Sequence, residues 1–226
     1  MKDIIKSENS IRSKSIYVMI SRTSSGFGRL VQRFGRLNYN HAALSLDENF
    51  EHLYAYARPK HQGLLLAGLV RESLDRYVMK ENFNVPIVVF KFDVSEEEYA
   101  SVDGYIKNSL GNKDYLYNGY SVMLTPLFNG FSVNKSFSCV EFVSFVLIKL
   151  GYLDGKACKY RPDDFLELFS DKIVFKGDVR DKVSYVPERP TYYERLTFRE
   201  FLLSIKTFFK LTVRTFMQIF RKKAVY

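Results

Sequence analysis

Cysteine is scarce in this sequence: Cys139 and Cys158 are its only two, and they lie in unlike local settings. Two cysteines can form one bridge but not a disulfide framework, which excludes a small secreted scaffold held by staples and makes a reducing, intracellular setting the plainer expectation. Histidine is almost as rare, with His41, His52 and His61. No group of Cys and His has the spacing of zinc ligands, so neither a metal nor another cofactor is expected. Long apolar runs are missing too: no window approaches the roughly 20 uninterrupted apolar residues of a membrane-spanning helix. The polar stretch Met1 to Ser15 lacks the apolar core of a secretory signal, which points to a cytoplasmic protein. There is no internal repeat and no low-complexity segment. Gly26-Phe-Gly28 is followed by Arg29 and lacks the third glycine of a dinucleotide fingerprint, so it reads as a loop leading into a helix with Leu30, Val31 and Phe34 on its apolar face.

What the chain does have is apolar and aromatic mass. Hydrophobic residues make up 46% of its 226 positions, with 20 Phe and 16 Tyr, the profile of one folded core. Charge is uneven. Between Thr197 and Tyr226 seven Lys or Arg stand against Glu200 alone, a net +6 of the chain's +9. The basicity therefore belongs to the tail, and the division expected is a catalytic domain over 1–190 followed by a basic amphipathic helix over 191–226. No nucleic-acid motif accompanies these charges, so nucleic acid is not the expected partner. An anionic membrane surface is, since Phe201, Ile205, Phe208, Phe209, Val213 and Phe216 recur at spacings of three and four with Lys206, Lys210 and Arg214 on another face. The alternative is that this apolar stripe packs on the domain itself, or on a second subunit, and leaves the cations solvated.

The pattern predicts an α+β fold. Ser15–Ser21 reads as a buried strand. Asn40–Leu46 and Phe50–Tyr56 form a hairpin around Asp47–Asn49, and Leu64–Val70 and Val85–Phe92 are further strands. Ser95 followed by Glu98 is a capping box ahead of a helix bearing Tyr99, Val102, Ile106 and Leu110. Asp114–Leu124 reads as helical, followed by a loop around Pro126–Asn134. Ser138 and Glu141 repeat the capping box at the head of an apolar helix closed by Gly151, and Arg161-Pro-Asp-Asp164 starts one more. Short strands are expected at Ile173–Phe175 and Val183–Val186.

Cys139 falls at the first turn of that apolar helix. Free N–H groups and the helix dipole favour an anion there, lowering a thiol pKa and supplying oxyanion donors. A buried structural cysteine is the bland alternative. His41 opens a strand of small and apolar residues. A two-residue hairpin turn would pair His41 with Tyr54 and Ala43 with His52, placing both histidines on one face, while a three-residue turn would put Glu51 there instead. Either residue would fix the tautomer of His41. Tyr115, Tyr117 and Tyr120 are candidates for a substrate groove, against the plainer reading of core and rim aromatics.

The order of these pieces carries a resemblance. A Ser-Ile-Tyr-Val-Met-Ile strand precedes Asn40-His-Ala-Ala-Leu-Ser-Leu46, and Ser-Cys-Val-Glu-Phe-Val begins a helix nearly a hundred residues later. This is similar to the circularly permuted branch of the NlpC-type papain-like cysteine peptidase superfamily, which includes the YiiX-like bacterial proteins and the lecithin:retinol acyltransferase-like enzymes. The similarity spans roughly Ile16 to Phe169, with Arg161-Pro-Asp-Asp-Phe resembling the family's segment after the Cys helix. It implies a papain-like fold, an antiparallel sheet packed on the Cys helix, with Cys139 as nucleophile and His41 as base. His52 stands at the second His of the acyltransferase-like members, and Glu51 suits members that use an acid. The implied activity is a cysteine hydrolase acting on an amide or peptide bond through an acyl-enzyme. Lipid acyl transfer or thioester hydrolysis at a membrane, and a non-catalytic docking protein, are the alternatives.

Overall fold

The computed structural model describes residues 14–23, 37–63, 66–78, 84–128, 130–183 and 191–223. The expected helix over Leu30, Val31 and Phe34 lies outside them, as does most of the expected strand at Val183–Val186. The protein is mixed α+β. Strands β1 (Lys14–Ser21), β2 (His41–Ser45), β3 (Leu53–Ala57), β4 (Gly68–Glu72), β5 (Pro86–Val94) and β8 (Ile173–Asp178) form an antiparallel sheet in the order β4-β3-β2-β1-β5-β8. The two-residue strands β6 (Leu116–Tyr117) and β7 (Ser136–Phe137) pair in parallel beside it. Five helices are described: α1 (Glu96–Ser109), α2 (Gly119–Phe128), α3 (Cys139–Lys149), α4 (Asp164–Leu168) and α5 (Phe198–Lys223).

The central strands read as unbroken apolar runs because both faces of the sheet are covered. Ile16, Val18 and Ile20 of β1 join Ala42, Leu44, Phe90 and Phe92 in a core capped by Phe142, Val143 and Val146 of α3 and by Val102 and Ile106 of α1. Met19, Ala43, Ala55, Ile87 and Val89 point the other way, into a second core with Leu74 and Tyr77. Period-2 geometry divides each strand between the two.

Both helices that open on a capping box form as expected, because the box satisfies its donors within four residues. Ser95 Oγ accepts from the Glu98 N–H at 3.1 Å while Glu98 accepts from the Ser95 N–H at 2.8 Å. The same pair of bonds joins Ser138 and Glu141, at 3.2 and 3.1 Å respectively. Gly151, at φ +73°, ends α3 in the left-handed conformation that glycine adopts without strain.

Three expectations are revised. The hairpin turn is longer than two or three residues: Leu44 pairs with Tyr54 and Ser45 with Leu53, and Leu46 N–H donates to His52 C=O. The Asp47 carboxylate causes this, taking the N–H groups of Asn49, Glu51 and His52 and holding the whole connection as one turn. The fourth strand is shifted to Gly68–Glu72, two residues past its expected end at Val70. Asp114–Leu124 is not one helix either. Leu116 and Tyr117 are extended, tied to Lys135 C=O and Ala67 C=O, and α2 starts only where Asn118 Oδ1 caps the Ser121 N–H and runs past Pro126 to Phe128. Among the described residues no helix is long and apolar enough to cross a membrane.

Candidate active site

His41 is the first residue of β2, opposite Ser21. The chain entering it is pinned from two sides. Asn40 exchanges side-chain hydrogen bonds with Thr23, and the Asp163 carboxylate accepts the N–H groups of Asn38 and Tyr39 at 2.6 and 2.8 Å. Asp163 belongs to the Arg161-Pro-Asp-Asp segment, so a stretch more than a hundred residues away sets where β2 begins.

Cys139 is the first residue of α3, which packs over β2 and β3 with Phe142 against Tyr56 at 5.4 Å between ring centroids. That packing carries the helix start to the head of β2. There the thiol lies within interacting reach of the His41 imidazole and of the backbone N–H groups of Ala42 and Val140. The other side of His41 is taken by an acid: Nε2 lies 3.0 Å from Glu72 Oε2.

Glu72 ends β4, and the register Ser45–Leu53–Glu72 puts it on the same sheet face as His41. Its side chain is 1% exposed, a placement that needs countercharge. Arg76 Nη1 lies 2.7 Å from Oε1 in an ion pair, and Tyr77 donates its hydroxyl to Oε2. Arg76 is itself held against the Tyr192 ring, 4.2 Å from its centroid, and donates to Arg58 C=O. Arg76, Glu72, His41 and Cys139 thus form one chain of contacts.

The electrostatics follow this chain. Burial pushes Glu72 up, but the Arg76 and His41 charges outweigh it and bring its pKa down to about 2. Burial alone would lower His41, yet the Glu72 carboxylate and the thiol raise it to about 10. Burial would raise Cys139, while the imidazole and the two N–H groups hold its thiol below the ordinary value. Carboxylate, imidazolium and thiolate are therefore mutually stabilised.

His52 and Glu51 take no part in this arrangement. His52 sits in the hairpin turn, its side chain half exposed, with Nδ1 3.1 Å from Asp47. Glu51 is exposed beside it, and its C=O accepts from Arg71. The assignment of His52 to the site is corrected accordingly: the longer turn places it opposite Leu46 and away from the His41 end of the hairpin. A strand that ends at Val70, as the sequence pattern suggests, leaves Glu72 in a loop and out of view. Extending β4 by two residues, with Arg76 four residues further on, was the signal that could have found it.

Tyr117 approaches from β6. Burial and the nearby Cys139 sulfur raise its hydroxyl pKa well above the ordinary value. Tyr115 instead packs on Tyr105, and Tyr120 bonds Thr212 of α5. Behind the helix start, Asn118 joins Glu141 Oε2 at 3.3 Å to Phe131 C=O. Burial raises Glu141 to about 7 despite the hydrogen bonds it accepts. His61 meets the Tyr192 ring edge-on and the Tyr193 ring at a tilt. No cluster of His, Cys, Asp and Glu suited to a metal is found among the described residues. Comparison with protein-family models, curated proteins and solved structures gave no match to this chain.

Proposed function

We propose that this protein is a cysteine hydrolase of the permuted papain-like type, acting on an amide or peptide bond. The observation that carries the reading is the contact chain Cys139–His41–Glu72: a thiol at a helix start, an imidazole bonded to it, and a buried carboxylate on the far nitrogen. Structural cysteines do not require a polarised histidine, nor that histidine a buried acid with its own arginine. The Cys139 thiolate attacks the substrate carbonyl carbon, and N–H groups at the start of α3 receive the developing oxyanion. Collapse of the tetrahedral adduct breaks the C–N bond, and the His41 imidazolium gives its proton to the leaving amine. Water, deprotonated by His41, then attacks the thioester carbon; the C–S bond breaks, the acid leaves, and the Cys139 thiolate and His41 imidazolium are restored. Glu72 holds the imidazole in place and offsets its charge, as the third member of such triads does.

The acid in the third position also bears on substrate class. The lipid acyl-transfer alternative drew on a second histidine, and His52 does not reach the site. An acid in that position suits the members of the resembling family that use one, and an amide or peptide bond is retained as the proposed substrate.

The test is formation of a covalent acyl-enzyme. Incubated with an activated ester, the native protein should gain one acyl group on Cys139, read by intact mass and peptide mapping. Cys139→Ser should lose it and Cys158→Ser should keep it. Equal acylation of both variants would sink the assignment.

A further inference from the structure

Helix α5 docks on the body by its polar side. Ser204, Leu211 and Thr215 share one line of the helix at 3.6 residues per turn and are the buried ones. Leu211 meets Leu116 and Val133 with Tyr120 and Phe131 beside them, Phe208 lies 6.2 Å from the Tyr120 ring between centroids, and the remaining contacts are hydrophilic. Glu200 pairs with Lys60 at 3.1 Å, Lys210 with Asp114, and Arg214 donates to Asp114 C=O at 2.6 Å. Thr212 bonds Tyr120, and Gln218 bonds Ser132 C=O and the Asn134 N–H. Two of the three cations expected to be solvated or to face lipid are thus spent on holding the helix down.

The opposite side is left uncovered, and it is the apolar one. Phe198 is 76% exposed, Phe209 62%, Phe216 56% and Val213 55%, with Leu202 and Ile205 between them. Large apolar side chains in one continuous stripe are not what a solvated helix face carries. Beside the stripe stand Arg199 and Lys206, exposed and without an ion-pair partner among the described residues. The sequence continues the positive charge with Arg221-Lys-Lys223.

From this geometry we infer that the outward face of α5 is a docking surface for an anionic lipid bilayer. The helix lies in the interface plane, Phe198, Leu202, Phe209, Val213 and Phe216 enter the acyl boundary, and Arg199 and Lys206 meet the headgroups. Charge decides between this occupant and a second copy of the chain. The one acid of α5, Glu200, is turned inward to Lys60, so two copies packed face to face would bring Arg199 and Lys206 together with no carboxylate of the helix to offset them. A bilayer rich in phosphatidylglycerol supplies the missing anions. This surface is independent of the chemistry at Cys139.

The experiment is sedimentation of the full chain with vesicles of phosphatidylcholine alone and of an equal mixture with phosphatidylglycerol. The native protein should pellet with the mixed vesicles at low salt and be released at high salt, with about tenfold or more weaker binding to the neutral ones. Phe209→Glu with Phe216→Glu, and separately Arg199→Glu with Lys206→Glu, should each weaken binding by about tenfold or more, while circular dichroism and the rate of Cys139 alkylation stay unchanged. A native protein that stays in the supernatant with mixed vesicles overturns the proposal. Equal binding to neutral vesicles overturns its anionic specification. A dimer at micromolar concentration that Phe209→Glu converts to monomer would give the face to a second copy.

Discussion

Glu72 Oε2 stands 3.0 Å from His41 Nε2, though thirty-one residues and an intervening strand separate the two in the chain. Because Arg76 and Tyr77 hold the same carboxylate, its pKa is brought down despite burial, and its charge in turn raises the pKa of the imidazole.

Glu72→Gln tests that relationship. Removing the charge should draw the His41 pKa from about 10 back toward its ordinary 6.5, so the alkaline limb of the rate against pH moves down. The maximal rate should fall by about tenfold to a hundredfold, the range for a group that orients another. His52→Ala should leave both within about twofold, as an exposed turn residue predicts. Were His52→Ala to cost as much as Glu72→Gln, the triad proposed here would be wrong.

Asp163→Ala should lower activity without touching the thiol. It strips the acceptor from the Asn38 and Tyr39 N–H groups just ahead of His41, at a cost of about 1 kcal/mol for each bond lost, since water can reach the exposed Asn38 N–H. Asp163→Asn keeps one acceptor oxygen and should fall between the two. Thermal melts alongside steady-state rates would check the order. An Asp163→Ala protein with native stability and native rate would show that the segment does not set the position of β2.

Two buried carboxyls should give opposite pH signatures in stability. Glu72 has its folded pKa lowered from 4.5 to about 2, so its contribution is present above pH 4.5 and is lost as pH falls toward 2. Glu141 has its folded pKa raised from 4.5 to about 7, so its contribution is present at low pH and is lost as pH rises through 7. Relative to the native protein, Glu141→Gln should therefore gain melting temperature between pH 5 and 8, roughly the interval over which the native carboxyl ionises. Glu72→Gln should lose most above pH 4.5 and converge on the native protein in acid. A Glu141→Gln difference that is flat with pH would mean this carboxyl is not held neutral by burial.

Local signals in the amino-acid sequence determined the helix starts, while the pairing of Cys139 with His41 was implied only by the order of the elements. Ser95 with Glu98 and Ser138 with Glu141 close their hydrogen bonds within one turn, so the pattern of residues is enough to place α1 and α3, and Cys139 at the first position of α3. The apolar runs of β1 and β5 likewise specify strands wherever they pack. The third residue of the site was a tertiary matter. It depended on how the Asp47 turn closes, how far β4 extends and which strand it joins, none of which is encoded within a few residues of His41. The tail shows the same division. Periodicity marks α5 as two-faced, but which face lies inward was decided by Asp114, Lys60, Tyr120 and Ser132, contributed by four other parts of the chain. Hydrogen bonds and ion pairs at those points hold the polar side down, and the aromatic side is left facing out.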